Sequence, residues 1–288
     1  MSFSGATTYG GNGLRVALVG YGKMGAALLS QWREGADQRF PGHRFFVIDP
    51  AVDLAENGSS EGTGGEPPRV TFLNEPPPPA HCAFDCLIVA VKPQMLDEVL
   101  PLYADRLAEG GMVASIAAGC SIARLRTLAG GAPTVRIMPN LPAAIGAGVS
   151  GLCADPSVSD AQRAMVEALM AAVGTVVWVS DEDQLDRLTA VAGSGPGYVF
   201  EMARSYVAAA QALGFDAKQA RQLVLGTLAG TIAMAEQSPL TLEELRTSVT
   251  SKNGTTAAGL DALNGEGAFD RLIAATLDAA YARAVALR

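Results

Sequence analysis

The chain has 288 residues, of which 49% are hydrophobic, and a formal net charge of −8. This length predicts about two domains, and an acidic chain without a basic block argues against a nucleic-acid partner. No run approaches the roughly 20 apolar residues that span a bilayer, so we expect no membrane segment.

The first 13 residues are polar and rich in glycine, without the charged start and apolar core of a secretory signal. We therefore expect a flexible tail at 1–13 and a cytoplasmic location. The four cysteines form no CxxC pair and do not cluster with the two histidines. The sequence consequently predicts no metal site and no disulfide framework.

A strand, a glycine turn and a helix follow the tail. Apolar residues 16–19 precede the turn, and an apolar helical segment follows it. The turn consists of Gly20, Tyr21, Gly22, Lys23, Met24 and Gly25. In this pattern the first glycine permits the turn, the second admits a pyrophosphate, and the third packs helix on strand. Dinucleotide binding is predicted, and an ordinary strand–helix turn is the alternative.

A second strand is predicted at 44–48, and it ends at Asp49-Pro50. An acidic residue here accepts hydrogen bonds from the adenosine ribose of NAD and repels the extra phosphate of NADP. Asp49 is therefore a candidate cofactor residue that favours NADH. The alternative is a turn-initiating aspartate before a proline.

Strands and helices continue to alternate as far as residue 180. The predicted strands are 69–73, 85–91, 112–116, 134–138, 148–154 and 176–179, and the predicted helices are 94–108, 122–128 and 160–173. Residues 57–68 and the proline run at 76–79 are predicted loops. The alternation predicts an α/β fold, a Rossmann-type doubly wound and mostly parallel sheet.

From residue 181 onward the sequence shows only helical periodicity. Residues 184–213 form one long segment with an expected break near Ser194, where Pro196 removes an amide donor. Further helices are predicted at 217–237, 242–249, 256–263 and 269–287. This region has too little bulk to fill a core alone, so we expect it to pack against a second subunit. The predicted domains are a dinucleotide-binding domain at 14–180 and an all-α substrate and dimerisation domain at 181–288.

A polar loop at 250–256 leads into the helix predicted at 256–263. Amides at a helix start lack intrahelical partners and can hold a carboxylate, and the hydroxyls of Thr255 and Thr256 lie beside them. The loop therefore suits a small carboxylate substrate. A plain helix cap, with the threonines serving the backbone, is the alternative.

Several of these segments resemble the pyrroline-5-carboxylate reductase family. The matching segments are 20–25, 90–94, 115–119, 138–142, 193–196 and 245–251 running into 254–260. They cover the chain from about residue 14 to the end, in the family's order. Two departures are present. Lys252-Asn253 stands where the family usually has Pro-Gly, and Asp49-Pro50 stands where members that use NADPH tend to carry polar or basic residues.

The resemblance implies hydride transfer from NADPH or NADH to the C=N bond of 1-pyrroline-5-carboxylate, which gives L-proline in the last step of proline biosynthesis. The resemblance favours NADPH as the cofactor, whereas Asp49 favours NADH. The resemblance also implies a homodimer or a ring of dimers. By the resemblance, Gly254, Thr255 and Thr256 hold the substrate, Ser194 borders its pocket, and the Thr256 hydroxyl hydrogen-bonds the imine nitrogen. The implied cofactor residues are the turn Gly20 to Gly25 with Val91, Lys92, Pro93, Ala117, Ala118 and Asn140.

Two other functions fit parts of the sequence. A hydroxyacid dehydrogenase of the related two-domain type needs a general acid or base, for which Lys218 is a candidate, although its place in the first turn of a helix suggests that it is solvated. A non-catalytic nucleotide sensor needs only the glycine turn, and it would not need the loop at 254–256.

Overall fold

The computed structural model describes residues 13–34, 39–57, 69–79 and 83–288. Most of the predicted tail, residues 1–12, and most of the predicted loop, residues 58–68, lie outside the described part of the chain. The chain divides into two compact units. The first unit is Met1–Gly193 with Tyr281–Arg288, and the second unit is Ser194–Ala280.

The first unit contains a sheet of eight strands. Its strands are β1 (Arg15–Val19), β2 (Arg44–Ile48), β3 (Val70–Leu73), β4 (Phe84–Val89), β5 (Leu107–Ser115), β6 (Thr134–Met138), β7 (Gly148–Ala154) and β8 (Gly174–Trp178). Its α-helices are α1 (Lys23–Arg33), α2 (Leu54–Asn57), α3 (Leu96–Val99), α4 (Ile122–Leu128), α5 (Asp160–Ala171) and α6 (Glu182–Leu188). Turns of 3₁₀ helix occupy Pro93–Met95, Leu100–Arg106 and Leu141–Ile145, and a π-helical segment occupies Thr189–Gly193.

The strand order is β3-β2-β1-β4-β5-β6-β7-β8, and every pair is parallel except the antiparallel pair of β6 and β7. Because β1 lies between β2 and β4, the strand order reverses at β1, and a ligand crevice forms where it reverses. Val19 of β1 is in register with Ile48 of β2 and with Val89 of β4. Gly20, Asp49 and Ala90 therefore emerge together at one edge of the sheet.

Helices cover both faces of this sheet because its central strands are apolar on both sides. Val16 and Leu18 of β1 belong to one buried cluster, which includes Trp32 of α1. Ala17 and Val19 belong to a second cluster, which includes residues of α3 and α4. Near-continuous apolar strands are typical of parallel sheets that are buried on both faces. The predicted fold class, a doubly wound and mostly parallel sheet, is confirmed.

The helix predicted at 94–108 ends two residues early, at Arg106, and it is not a regular α-helix. Only Leu96–Val99 is α-helical, and the flanking turns are 3₁₀ helices. Pro101 has no amide hydrogen to donate, so a regular α-helix cannot continue through it. From Leu107 onward the chain already pairs with β4 as the start of β5. A Cβ on Gly111 would lie 2.7 Å from the Phe84 carbonyl oxygen, so this close pairing requires glycine.

All the regular secondary structure that the structure describes in the second unit is helical. It contains α7 (Gly195–Ala212), α8 (Ala217–Gln237), α9 (Leu242–Ser248), α10 (Thr255–Asn264) and most of α11 (Ala268–Ala286). The predicted break near Ser194 is confirmed, since α7 begins at Gly195 after the π-helical segment. Pro196 lies in the first turn of α7, where its missing donor is tolerated.

The core of the second unit is small. Ala210, Ala220 and Val224 are buried between α7 and α8, while many large apolar side chains are exposed. Those in the helices of this unit include Val199, Phe200, Met202, Tyr206, Leu223, Leu225, Ile232, Met234, Leu242, Leu263 and Leu272. A surface this apolar indicates a protein interface.

The compact units differ in extent from the predicted domains. Residues 181–193 and Tyr281–Arg288 lie in the first unit, whereas the sequence assigned both ranges to the helical domain. The domains at 14–180 and 181–288 were defined by their expected roles and not by compact packing, and they stay a prediction.

Candidate cofactor and substrate sites

The glycine turn at 20–25 is shaped by two different requirements. Gly20 has φ +98°, and a Cβ there would lie 2.8 Å from the Ala90 carbonyl oxygen. A Cβ on Gly25 would overlap the Gly20 carbonyl oxygen. Gly22 differs, because among the described residues no heavy atom outside its own local backbone lies within 4 Å of the place where its Cβ would be. The chain's own packing therefore requires the first and third glycines, while the second leaves open space at the start of α1.

This open space fits a phosphate group. Gly22 is the N-cap of α1 and has no side-chain cap. The amides of the first helical turn have no intrahelical acceptor, and the helix dipole places partial positive charge there. Lys23 is exposed in the same turn. The start of α1 can therefore hold a pyrophosphate, as the spacing of the glycines predicts.

Asp49 is tied to the glycine turn by backbone hydrogen bonds. The Tyr21 N–H donates to Asp49 Oδ2 over 2.6 Å, and the Ala51 N–H donates to Oδ1 over 2.8 Å. The sequence did not indicate the first bond, which joins residues 28 apart. Each carboxylate oxygen has a second lone pair. Asp49 can therefore hold the turn and still accept a hydrogen bond from a ribose hydroxyl.

A cleft of about 260 Å³ opens at the carboxyl ends of β1, β2 and β4. It brings together the predicted cofactor residues Gly20, Gly22, Asp49, Val91 and Lys92. Its other lining residues are Val19, Ile48, Pro50, Asn74, Pro76, Ala90, Met95, Val99, Leu102 and Tyr103. A mostly apolar lining with a few polar groups is typical of a cofactor site.

Asn74 and Tyr103 are two further polar residues of this lining, and the sequence pattern does not predict either of them. Asn74 follows β3 at the same sheet edge, and its Nδ2 donates to the Val52 carbonyl over 2.8 Å. Its position just after a strand was the signal that could have found it. Tyr103 is buried, and burial raises its pKa to about 12, so its hydroxyl stays protonated. Tyr103 lies in the 3₁₀ segment Leu100–Arg106. The sequence predicts only a helix there, so the direction of its side chain could not be predicted.

Other predicted cofactor residues lie outside this cleft. Pro93 begins a 3₁₀ turn after β4. Ala117 and Ala118 follow β5 and line a smaller cavity of about 40 Å³. Ala117 is buried and its N–H donates to Ser115 Oγ over 3.2 Å, whereas Ala118 is exposed.

Asn140 is buried, and the chain itself uses both ends of its amide. Its Nδ2 donates to the Ala192 carbonyl over 3.0 Å, and its Oδ1 accepts the Val149 N–H over 2.8 Å. Asn140 therefore fastens the end of β6 to β7 and to the π-helical segment. A direct contact of Asn140 with the nicotinamide stays a prediction.

The candidate substrate loop lies between α9 and α10 in the second unit. Asn253 has φ +56°, and Gly254 is the N-cap of α10 with no side-chain cap. The Gly254 N–H donates to the Ser251 carbonyl over 3.0 Å. A Cβ on Gly254 would overlap Ser251 Oγ, so a larger residue there would require the Ser251 side chain to rotate away.

Thr255 and Thr256 occupy the first turn of α10, and both are exposed. Among the described residues neither hydroxyl has a hydrogen-bond partner, so neither serves as a helix cap. The alternative, in which the threonine hydroxyls cap the helix by bonding its backbone, does not agree with this geometry. Two hydroxyls and the first amides of α10 remain available to a ligand.

The remaining substrate candidates are less closely joined. Ser194 is half-buried just before α7, and its carbonyl accepts the Gly197 N–H over 2.9 Å. No hydrogen bond within the described ranges joins Ser194 to the loop at 250–256. A wide cleft of about 730 Å³ beside the loop is lined by Thr250 and Ala257 but not by Thr255 or Thr256. The role of Ser194 stays a prediction.

No helix in the described ranges is both long and apolar enough to cross a membrane. The same part of the chain holds no group of three or more His, Cys, Asp or Glu side chains that could bind a metal ion. Cys86, Cys120 and Cys153 are buried free thiols, and burial raises the pKa of each. Their thiolate forms are therefore disfavoured, and we assign them no chemistry.

A family model described as pyrroline-5-carboxylate reductase dimerisation matches residues 182–287. The chain is 35% identical over 274 residues to the pyrroline-5-carboxylate reductase of Pseudomonas aeruginosa, and the match covers 95% of this chain and 96% of that one. Two solved structures are also similar. A pyrroline-5-carboxylate reductase from Coxiella burnetii has a TM-score of 0.85 and 29% identity, with 96% and 99% of the two chains covered. A Plasmodium falciparum pyrroline carboxylate reductase with NADP bound has a TM-score of 0.75 at 23% identity, with 95% and 98% covered, and shares the fold.

Proposed function

The chain belongs to the pyrroline-5-carboxylate reductase family, and from this premise we infer how its residues carry out the reaction. It is an NAD(P)H-dependent oxidoreductase that acts on a C=N bond in the last step of proline biosynthesis. Its substrate is the small carboxylate 1-pyrroline-5-carboxylate, and its product is L-proline. The assignment of individual residues to this reaction is our proposal.

We propose that the start of α1 and the cleft beside Asp49 hold the dinucleotide. The open space at Gly22 admits the pyrophosphate, and the free amides of α1 hydrogen-bond its oxygens. Asp49, Asn74 and Tyr103 supply polar groups for the adenosine half. When bound, reduced nicotinamide supplies the hydride.

We propose that the loop before α10 holds the substrate. The observation that carries this assignment is that Thr255 and Thr256 begin a helix without capping it, so their hydroxyls and the first amides are available. The amides hold the carboxylate. The Thr256 hydroxyl hydrogen-bonds the ring nitrogen, which gains an electron pair as the carbon accepts hydride. This reaction needs positioning more than a strong acid.

The alternative enzyme, a hydroxyacid dehydrogenase, needs a charged acid or base beside an alcohol oxygen. Its candidate, Lys218, is exposed in the first turn of α8, which suits a solvated lysine. A non-catalytic sensor has no use for the free hydroxyls of α10.

One assay tests the assignment directly. The chain is incubated with 1-pyrroline-5-carboxylate and either NADH or NADPH, and nicotinamide absorbance and proline are followed. We expect stoichiometric loss of absorbance and gain of proline. If absorbance stays constant with both cofactors, the assignment of this function to the chain is wrong.

We further propose that NADH is preferred over NADPH, because a carboxylate at the end of β2, here that of Asp49, repels the extra phosphate of NADPH. Asp49→Asn removes the charge and keeps an oxygen that can accept the Tyr21 N–H. We expect the ratio of kcat/KM for NADPH to that for NADH to rise about tenfold, equivalent to about 1.4 kcal/mol. Asp53→Asn is the matched control, since Asp53 caps α2 and does not line the cleft. A native preference for NADPH, or an unchanged ratio in Asp49→Asn, would contradict the proposal.

Oligomerisation accompanies the dimerisation region at 182–287, and the exposed apolar side chains of α7 and α8 suit it. We propose a homodimer or a ring of dimers, which light scattering after size exclusion would distinguish. We also propose a substrate and dimerisation role for 181–288, a cytoplasmic location, and the absence of membrane and nucleic-acid partners. The net negative charge of the chain supports the absence of a nucleic-acid partner.

A further inference from the structure

The end of α11 and the residues that follow it belong to the first unit rather than to the second. We call residues Tyr281–Arg288 the strap. The Tyr281 hydroxyl donates to Asp183 Oδ1 over 2.5 Å, and the Arg187 guanidinium lies 4.9 Å from the centre of the Tyr281 ring. At the other end of the strap, Arg288 Nε lies 2.9 Å from Asp186 Oδ2. Both ends are thus held by α6.

The carboxylate that holds Arg288 is itself buried. Asp186 is 3% exposed, and besides Arg288 its nearest cation is Arg136, with Nη2 3.8 Å from Oδ1. Arg136 also lies 2.5 Å from Glu182 Oε1, which accepts the Ile122 N–H over 3.0 Å. A buried carboxylate requires a close counter-charge. Arg288 supplies that charge, so its contact with Asp186 is strongly constrained.

Between its two ends the strap meets the loop that follows β5. Gly119 has φ +68°, and a Cβ there would overlap the Leu287 carbonyl oxygen. Ala117, Ala118 and Gly119 share the cavity of about 40 Å³ with Ala284 and Leu287. The backbone of the loop and the backbone of the strap therefore approach more closely than any side chain on Gly119 would allow.

The position of this loop in the sheet shows which part of a dinucleotide it faces. Val89 of β4 pairs with Ser115 of β5, so residues 117–119 follow β5 at the sheet edge that carries Gly20. Asp49 follows β2, on the other side of β1. If the adenosine half lies beside Asp49, the nicotinamide half extends across β4 toward β5.

We propose that the strap positions the loop 117–119 for the nicotinamide half of the cofactor, with Arg288 and Tyr281 as positioning residues. The inference rests on the proposed cofactor site. Loss of the Arg288–Asp186 contact releases the strap from α6, and the loop loses the backbone that supports it. The adenosine half, held beside Asp49, is unaffected.

The test measures the binding of two probes to the full chain by calorimetry. One probe is the reduced dinucleotide, NADH or NADPH, whichever the native chain binds more tightly. The other probe is ADP, which lacks the nicotinamide half. We expect Arg288→Ala to raise the Kd for the dinucleotide about fivefold or more, the size of a modest coupling, and to leave the Kd for ADP unchanged. Arg288→Lys should restore part of the affinity. Arg283→Ala, an exposed arginine on the same helix, should change neither Kd.

Tyr281→Phe provides a second variant with almost no change in shape. It removes only the hydrogen bond to Asp183, and we expect the same selective loss at smaller size. Unchanged dinucleotide binding in both variants, or an equal loss for both probes, overturns the inference. If the native chain binds ADP but neither NADH nor NADPH, the proposed function fails as well. This outcome distinguishes a failure of the proposed function from a failure of the inference about the strap.

Discussion

Thr256 carries the most specific chemical prediction at the scale of single residues. Its hydroxyl lies in the first turn of α10 without serving as a cap, and the neighbouring amides are also available to a ligand. Because the Thr256 hydroxyl is not used in capping the helix, it is available to form a hydrogen bond with the substrate. The residue type was predictable from the motif, whereas its lack of a partner became visible only in the structure.

Thr256→Val keeps the side-chain shape and removes the hydroxyl. We expect kcat to fall about tenfold, because one hydrogen bond of about 1.5 kcal/mol is lost in the transition state. Steady-state kinetics with saturating cofactor measure the change, and Thr256→Ser should recover much of it. Thr276→Val is the control, since the Thr276 hydroxyl bonds the Leu272 carbonyl within α11. Unaltered kcat in Thr256→Val would mean that the hydroxyl does not meet the reacting atoms.

Asp49 shows a second lesson at the residue scale. Its position at the end of a strand predicted a contact with ribose, yet both of its oxygens already accept backbone N–H groups. The carboxylate therefore has a structural task in addition to its proposed task in cofactor selection. For this reason Asp49→Asn, which retains an acceptor, is a cleaner test than a truncation to alanine.

Among the elements, the loop between α9 and α10 explains an unusual residue choice. Asn253 has φ +56°, a left-handed conformation that glycine adopts freely and that asparagine tolerates better than most residues. By the resemblance described above, Asn253 stands where the family usually has glycine. Asn253 is therefore a substitution that preserves the backbone of the loop, and Lys252 is not subject to the same constraint.

This difference gives a prediction for the stability of the second unit. Asn253→Val should lower the free energy of unfolding by about 1–2 kcal/mol, because a β-branched residue fits the left-handed region poorly. Asn253→Gly should have little effect. Urea unfolding at a fixed protein concentration measures both, with Lys252→Ala as the neighbouring control, for which a change within about 0.5 kcal/mol is expected. Equal stabilities for the valine and glycine variants would show that this loop conformation is not populated in solution.

At the scale of the whole molecule, Asp186 joins distant parts of the first unit. It lies on α6 and is close to Arg136 of β6 and to Arg288 of the strap. Burial raises the pKa of Asp186, and the two arginines oppose that rise. The ion cluster thus links the sheet, α6 and the last helix through one buried carboxylate.

The raised pKa of Asp186 predicts a pH dependence of stability. The folded state holds this proton more tightly than the unfolded state, so the contribution of Asp186 is complete below its ordinary pKa of 3.8 and is lost as pH rises through the raised value. Asp186→Asn removes this dependence. We therefore expect the stability of the native chain relative to Asp186→Asn to decline as pH rises through that window, and then to level off.

Urea unfolding from about pH 3 to 7 at one protein concentration measures this difference. Asp183→Asn serves as the comparison of opposite sign, because hydrogen bonds from the Tyr281 hydroxyl and Arg187 lower the pKa of Asp183. Its contribution is lost as pH falls through its own lowered pKa. Parallel pH profiles for the two variants would contradict the assigned directions.

The features that depend on local periodicity and on motifs could be predicted from the amino-acid sequence alone. The glycine turn, the apolar strands and the loop before α10 each occupy a short continuous segment, so the fold class and most of the candidate residues were readable from them. Gly20 and Gly25 are informative in this way because a Cβ at either position would meet a backbone carbonyl oxygen.

The features that depend on pairing between distant segments became visible only once the chain was folded. Pairing with β4 ends the predicted helix at 94–108 early and begins β5 at Leu107. Asp49 meets Tyr21, Asn140 meets Ala192, and Arg288 meets Asp186, across separations that no local pattern encodes. These contacts form because burial forces polar groups to find partners wherever the fold brings them close, which explains why the last residues of a helical region support a loop of the nucleotide-binding sheet.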